Sequence, residues 1–354
     1  MTHQAEHCLA FARRHVAGRD LGASMPAELW RAMAAAGLFR IGLPLAHGGD
    51  GAKLSVVAAA ERALIAGGGS PGLGTVWAAH QMIARHFLAG FGTEAQQAMW
   101  LPRIASGAST ASIAISEPKV GAHPKLLTTR ATRTATGWRI EGEKSFLTNG
   151  PIADLFIVLA ITSEEAGRKR YSLLLVPEST PGLSRTVAAD YPALHPAGHC
   201  GVRLDGCEVS SDAVLGVEGD AYAAMALPFR DAEDALGVSG TAGNIAHMVE
   251  LLAAALPADA GTDLAAPVGR LLGLSALLDL AATQVAAALD EGRIEQGLMI
   301  GIRTLAAHIA GEIRVMGPLP EVAAGLAALD VGLSVARGPR AVRAARLAMG
   351  GGRI

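Results

Sequence analysis

The spacing of apolar residues divides the chain into three stretches. Over residues 1–108 they recur at helical intervals. Pro26–Gly37 opens on Pro and Glu and closes on Gly, the start and stop chemistry of a helix. Ser55–Ala66 reads as a second helix, the Gly-rich run 67–72 as a loop, and Thr75–Ala89, bounded by Gly90, as a third. Thr93 and Gln96 have the spacing of a capping box, so a fourth helix is expected over Glu94–Ser106. From residue 109 the period shortens. Ala111–Ser116 reads as a strand stopped by Pro118, Thr128–Thr136 alternates, and Trp138, Ile140 and Gly142 begin another strand. Leu155–Thr162, Tyr171–Val176, Gly201–Leu204 and Cys207–Val209 are further short extended runs. Helical spacing returns at Ala221, broken at 256–269 and at Gly317-Pro318-Leu319-Pro320. The pattern predicts an α+β multidomain chain: an N-terminal all-α domain over 1–108, a β-barrel domain over 109–220, and a C-terminal helical bundle over 221–354.

Composition narrows the function classes. A length of 354 residues suits two or three domains, and 51% hydrophobic residues with only 4% aromatics point to helices packed through small side chains. A formal charge of -2 gives no electrostatic case for nucleic acid or for an anionic membrane. The most apolar run, Leu271–Leu289, is interrupted by Asp279, Thr283 and Gln284 and reads as a bundle helix rather than a membrane span. The charged, amphipathic start MTHQAEHCLAFARRH lacks the apolar core of a secretory leader, so a cytoplasmic location is expected. Cys8, Cys200 and Cys207 are odd in number and lack metal-ligand spacing, so neither a disulfide framework nor a metal site is expected. Alternating β-α units and a Gly-x-Gly-x-x-Gly after a strand are both missing, which argues against a Rossmann site.

Candidate chemistry concentrates in residues 111–150, where Ile115-Ser116 and Thr148-Asn149 form polar strand ends. The run Ile113-Ala114-Ile115-Ser116-Glu117-Pro118-Lys119-Val120-Gly121-Ala122-His123, with Gly142-Glu143-Lys144-Ser145-Phe146-Leu147-Thr148-Asn149 further on, resembles the acyl-CoA dehydrogenase family of flavoproteins. Two helical pieces resemble it as scaffold: Gly37-Leu38 with Gly42-Leu43-Pro44 and Gly48-Gly49, and Phe91–Thr93 through Trp100-Leu101-Pro102 to Gly107. So does Leu194 through Asp205-Gly206-Cys207 to Leu215-Gly216. The resemblance implies FAD as cofactor, with Ile113, Ile115, Ser116, Ala122, Phe146 and Thr148 at the flavin-contacting positions. Ala122 stands where the family has a Ser, and His123 where it has an Asp. Losing one such hydroxyl contact costs on the order of 1 kcal/mol. The plainer reading of Ser116 and Thr148, strand-end hydroxyls in a Thr-rich domain, stays open.

The resemblance also implies a reaction, in which a carboxylate removes the proton α to a thioester, a hydride leaves the β carbon for the flavin, and the electrons pass to an electron-transfer flavoprotein. Acyl-CoA or an acyl-carrier thioester is the expected substrate. In one branch of the family the base lies in a C-terminal Glu-Gly-Thr loop; this sequence stops at Gly350-Gly351-Gly352-Arg353-Ile354 before such a loop. In another branch it lies on a bundle helix, and the corresponding Arg230–Ala235 offers Asp234 or Glu233. An acidic helix start also has an ordinary role in complementing the helix dipole. Of the Arg that the family places near the adenine end of FAD, only Arg270 is a counterpart. These departures leave two alternatives: a catalytically degenerate subunit partnering an active paralogue, or a dehydrogenase for acyl groups held on a carrier protein. A homodimer, a homotetramer or a hetero-oligomer with a paralogue is expected from the Ala-rich bundle helices.

Overall fold

The computed structural model describes residues 1–187, 190–317, 319–334, 342 and 345. The Gly350–Ile354 terminus and Pro318 of the expected break lie outside the described residues. The chain forms two compact units, one of Met1–Asp20, Lys53–Gly74 and Ala232–Ile354, the other of Leu21–Ala52 and Thr75–Asp231. This division cuts across the three domains read from the sequence, because the N-terminal helices divide between the two units.

In the helical unit, α1 (His3–His15) is capped by the Thr2 side chain, which accepts from Ala5 N. It packs on α3 (Leu54–Gly68), which runs through glycines expected to be loop. A Cβ at Gly67 would lie 2.8 Å from Leu9 O, and one at Gly68 2.8 Å from Val16 Cγ1, so both positions are glycine because α1 and the residue after it lie against them. The long helices follow: α6 (Leu227–Ala254), α7 (Thr262–Asp290), α8 (Gln296–Val315) and α9 (Pro320–Ser334). The expected break at 256–269 is shorter than its Pro and Gly content suggests, since α7 starts at Thr262 and carries Pro267 inside it. Among the described residues α7 is the one helix long and apolar enough to cross a membrane, with 39% of its apolar window buried. It is joined to α3 by Arg62 Nε to Asp279 at 2.8 Å and by Ser55 N to Asp290 Oδ1 at 3.1 Å.

The sheet unit holds α2 (Ala27–Ala35), α5 (Glu94–Ala105) and most of α4 (Pro71–Ile83), which runs on into a π-helical turn, Ala84–Ala89. The capping box of Thr93 and Gln96 opens α5 as expected. Among the described residues eight strands follow: β1 (Ala111–Ala114), β2 (Arg130–Arg133), β3 (Gly137–Thr148), β4 (Leu155–Glu165), β5 (Arg168–Pro177), β6 (Leu183–Val187), β7 (His199–Ser210) and β8 (Val214–Leu215). They form one sheet in the order β6-β7-β3-β2-β4-β5-β8, with β1 parallel to β4. Its core is Trp138, Ile140, Leu147, Phe156, Val158, Leu174, Val202 and Leu204, all buried. The two extended runs at Gly201–Leu204 and Cys207–Val209 are one strand, β7, because the bulge at Gly206, with φ 65, is absorbed by a register shift against β3. β6 escapes the pattern, since LSRTV is mostly polar and gains its place by pairing with β7.

Candidate functional site

The site grows out of a second irregularity between β3 and β7. Lys144 pairs with Val202 and Leu147 with Cys200, so Ser145 and Phe146 together face the single residue Gly201. The extra residue makes a bulge, and Phe146 enters the left-handed region at φ 59, which a bulky side chain rarely adopts. Its ring is pushed outward and is 51% exposed, unlike the other aromatic side chain of β3, Trp138, which lies in the core. Gly201 is required opposite it: a Cβ there would lie 2.3 Å from Thr186 Oγ1 and 2.8 Å from Lys144 O.

A buried ion pair ties the bulge to the end of β1. Lys144 Nζ donates to Ile115 O and to Glu117 Oε1, both at 3.0 Å. Glu117 also accepts from Thr128 N and Oγ1 at 2.8 Å and from Thr129 N at 2.9 Å. Ser145 N donates to Ser116 O at 2.9 Å. Ser116 is therefore gripped through its own carbonyl and through both chain neighbours. On the other side Ser112 Oγ donates to Thr148 O at 2.7 Å, and Asn149 Nδ2 donates to Val76 O at 3.0 Å. Burial by itself raises the Glu117 pKa, but Lys144 and the donors from Thr128 and Thr129 outweigh it and hold the carboxyl down at about 2. Burial pulls the Lys144 ammonium down to about 8 against the attraction of Glu117. Both shifts leave the pair charged at neutral pH.

What this scaffold presents is unspent. The hydroxyls of Ser116 and Thr148 are half-buried and make no hydrogen bond to any described residue, and the buried Ser145 Oγ has no partner either. Ile113 and Ile115 are half-buried beside them. An exposed aromatic ring and unpaired hydroxyls on adjoining segments suit a planar, polar-edged ring such as isoalloxazine. Ala122 lies apart on the exposed loop after β1 and brings only its backbone, whose carbonyl accepts from Tyr222 Oη at 3.3 Å.

The acidic candidates fall in or at the edge of the helical unit, on α6. Asp234 is buried at 6% exposure, whereas Glu233 is exposed, so of the two only Asp234 has a water-poor setting. Arg270, on α7, is committed to Glu312 of α8 through Nε at 3.1 Å and Nη2 at 2.9 Å, and the other Glu312 oxygen faces His308 Nε2 at 3.0 Å.

Three residues carry more of the geometry than the sequence revealed. Glu117 and Lys144 are ordinary charged letters in a motif, and nothing in their spacing says that they meet. Glu61 in α3 is fully buried; burial pushes its carboxyl up to about 8, partly opposed by Arg62, and Oε2 has no partner. Gly240 of α6 makes room for it, since a Cβ there would lie 3.0 Å from Glu61 Oε1. The sole sequence signal was a charge inside an apolar helix.

Comparison with known proteins agrees with this geometry. The acyl-CoA dehydrogenase N-terminal domain matches residues 5–108 and the acyl-CoA dehydrogenase middle domain matches 112–207, together more than half of the chain. The acyl-CoA dehydrogenase FadE12 of Mycobacterium tuberculosis is 34% identical over 230 residues, 62% of this chain and 54% of that protein. The L-prolyl-[peptidyl-carrier protein] dehydrogenase of Pseudomonas fluorescens is 35% identical over 205 residues, 57% of this chain and 53% of that one. The chain thus spans about half the length of the curated relatives it matches. Among solved structures, butyryl-CoA dehydrogenase from Megasphaera elsdenii superposes with a TM-score of 0.82 at 18% identity, covering 94% of each chain. A glutaryl-CoA dehydrogenase from Mycobacterium smegmatis in complex with FADH2 gives 0.80 at 22%, covering 95% of this chain and 91% of that one. At such identities these likenesses establish the fold. With the two domain matches and the bulged strand end that they contain, the chain belongs to the acyl-CoA dehydrogenase family.

Proposed function

We propose that the protein is an FAD-dependent dehydrogenase that oxidises an acyl thioester to its 2,3-enoyl form and passes the electrons to an electron-transfer flavoprotein. The observation that carries this reading is the Ser145-Phe146 bulge, which exposes the Phe146 ring on the same strand end as Thr148, tied through Ser145 and Lys144 to the segment that carries Ser116. Phe146 would cover one face of the flavin, and the two hydroxyls would bond its polar edge. When bound, FAD supplies the acceptor for the hydride lost from the β carbon. Asp234 is the group to which we assign the α proton: the Cα–H bond breaks, its proton goes to the carboxylate, and the electron pair enters the new Cα=Cβ bond. Its burial restricts water at the carboxylate, as proton abstraction beside a thioester requires. The cytoplasm and a homo-oligomer complete the proposal.

The test is the visible absorption spectrum of the purified protein, first with FAD and then with saturated acyl thioesters. Bound flavin that bleaches on adding a thioester supports the reading, and Asp234→Asn is expected to keep the flavin and lose the bleaching by at least about a hundredfold in rate. A protein that stays colourless in excess FAD overturns it. A second reading keeps the same chemistry and places the acyl group on a carrier protein, as the name of the 35% identical relative suggests for that relative.

A further inference from the structure

Between β1 and β2 the chain runs as a loop whose backbone is held and whose side chains are free. Glu117 and Gly121 exchange backbone hydrogen bonds at 3.0 Å. Tyr222 donates to Ala122 O, Tyr171 donates to Pro124 O, and Lys169 Nζ donates to Lys125 O at 2.9 Å and Leu127 O at 2.7 Å. Four carbonyls are thus fixed by side chains from two other parts of the sheet unit. The outward face is cationic. Lys119, His123 and Lys125 are exposed and their side chains meet no partner among the described residues. No acidic residue stands in the sequence between Glu117 and Glu141. On the β4–β5 hairpin that supplies Lys169, Glu164 is taken by Arg130 at 2.5 Å and Glu165 by Arg170 at 3.7 Å. Next to Lys125, Leu126 is 52% exposed.

A loop with a held backbone that carries exposed lysines and an exposed leucine complements an acidic, amphipathic helix, and little backbone ordering opposes its binding. The leucine decides between anionic partners, because the phosphates of a free nucleotide have no use for it. The loop follows β1 directly after Ser116 and Glu117, so it is covalently continuous with the candidate site. We propose that loop 118–126 is the docking surface for the acidic helix of a carrier-protein domain that presents the acyl group on a phosphopantetheine arm. This rests on the dehydrogenase reading for its turnover readout.

The experiment compares wild type with the double variant Lys119→Glu, Lys125→Glu on one acyl group offered in three forms: on an acidic carrier protein, on coenzyme A, and on pantetheine, which lacks both protein and nucleotide. Neither lysine belongs to the flavin site, and an unchanged thermal midpoint reports that the variant is folded. The expected result is a fall of about tenfold or more in kcat/KM for the carrier substrate, growing as salt is lowered, with the pantetheine thioester unchanged. No loss, an equal loss on all three forms, or a loss on the coenzyme A thioester alone overturns the proposal; the last outcome marks a nucleotide phosphate site. Direct binding of the acylated carrier to wild type and variant is measured in parallel. If wild type fails to oxidise even the pantetheine thioester, the dehydrogenase reading falls, while a carrier that binds wild type and not the variant still supports the docking surface and one that binds both equally removes it.

Discussion

Lys144→Met leaves Glu117 buried and charged without its cation, and breaking a buried pair from one side costs about 3–5 kcal/mol. The double variant Lys144→Met, Glu117→Gln removes both charges and is expected to recover much of that loss, because no uncompensated ion remains. Denaturant unfolding of wild type, single and double variants checks the order; a single variant as stable as wild type would show that the pair bears nothing. Glu61 makes a different prediction. Burial pushes its carboxyl up to about 8 from the 4.5 of an exposed glutamate, so between those pH values the unfolded chain gives up its proton while the folded chain keeps it. The folded state then binds more protons, and stability falls as pH rises through this window. Glu61→Gln is expected to flatten that slope and to be more stable than wild type at pH 8, by on the order of 3 kcal/mol. Equal pH slopes in the two proteins would show that Glu61 ionises normally in the fold. None of these three residues was legible in the sequence, because burial and pairing are properties of the assembled chain: Lys144 and Glu117 meet only where β3 passes the segment after β1, as the Ser145 N to Ser116 O bond shows.

At the scale of elements, the strongly periodic pieces were legible and the irregular ones were not. The capping box at Thr93 and Gln96 and the apolar runs of β4 and β5 declare themselves locally, since their chemistry lies within a few residues. Gly67 and Gly68 misled, because they are glycine to let a neighbouring segment approach closely and not to break the helix. The residues proposed for the flavin edge came from motif resemblance, but the reason that Phe146 faces outward is the bulge, which no alternation of polar and apolar letters foretells. That bulge depends on Gly201. A Cβ there would meet Thr186 Oγ1 and the Lys144 carbonyl, and the latter cannot withdraw without disturbing the ion pair beneath it. Gly201→Ala is expected to cost about 1–3 kcal/mol and, more tellingly, to weaken FAD binding beyond what the stability loss explains. Flavin titration at a temperature where the variant is fully folded separates the two effects. Unchanged affinity in a destabilised variant would show that the bulge holds its shape without the glycine.

For the whole molecule, the split into two units gives ligand binding a defined place to act. The residues proposed for the flavin edge, Ile113, Ile115, Ser116, Phe146 and Thr148, lie in the sheet unit with Ala122, whereas Asp234 lies in the helical unit. The order of helical, sheet and helical stretches was legible in the sequence, whereas this grouping was not, because hydrophobic period identifies the type of an element and is silent about which distant element it packs on. A cofactor that binds the folded sheet unit stabilises it by mass action. At a free concentration a hundred times its dissociation constant the gain is about 2.7 kcal/mol. For a unit of roughly 150–250 residues that corresponds to a rise in thermal midpoint of about 5–10 °C. FAD is therefore expected to raise the unfolding temperature in proportion to the logarithm of its concentration. Phe146→Ala is expected to reduce the shift while leaving the midpoint without FAD almost unchanged, since the ring is half exposed and contributes little to the core. If FAD shifts both proteins equally, the cofactor does not use this strand end. If it shifts neither, the free hydroxyls and the exposed ring serve something other than a flavin.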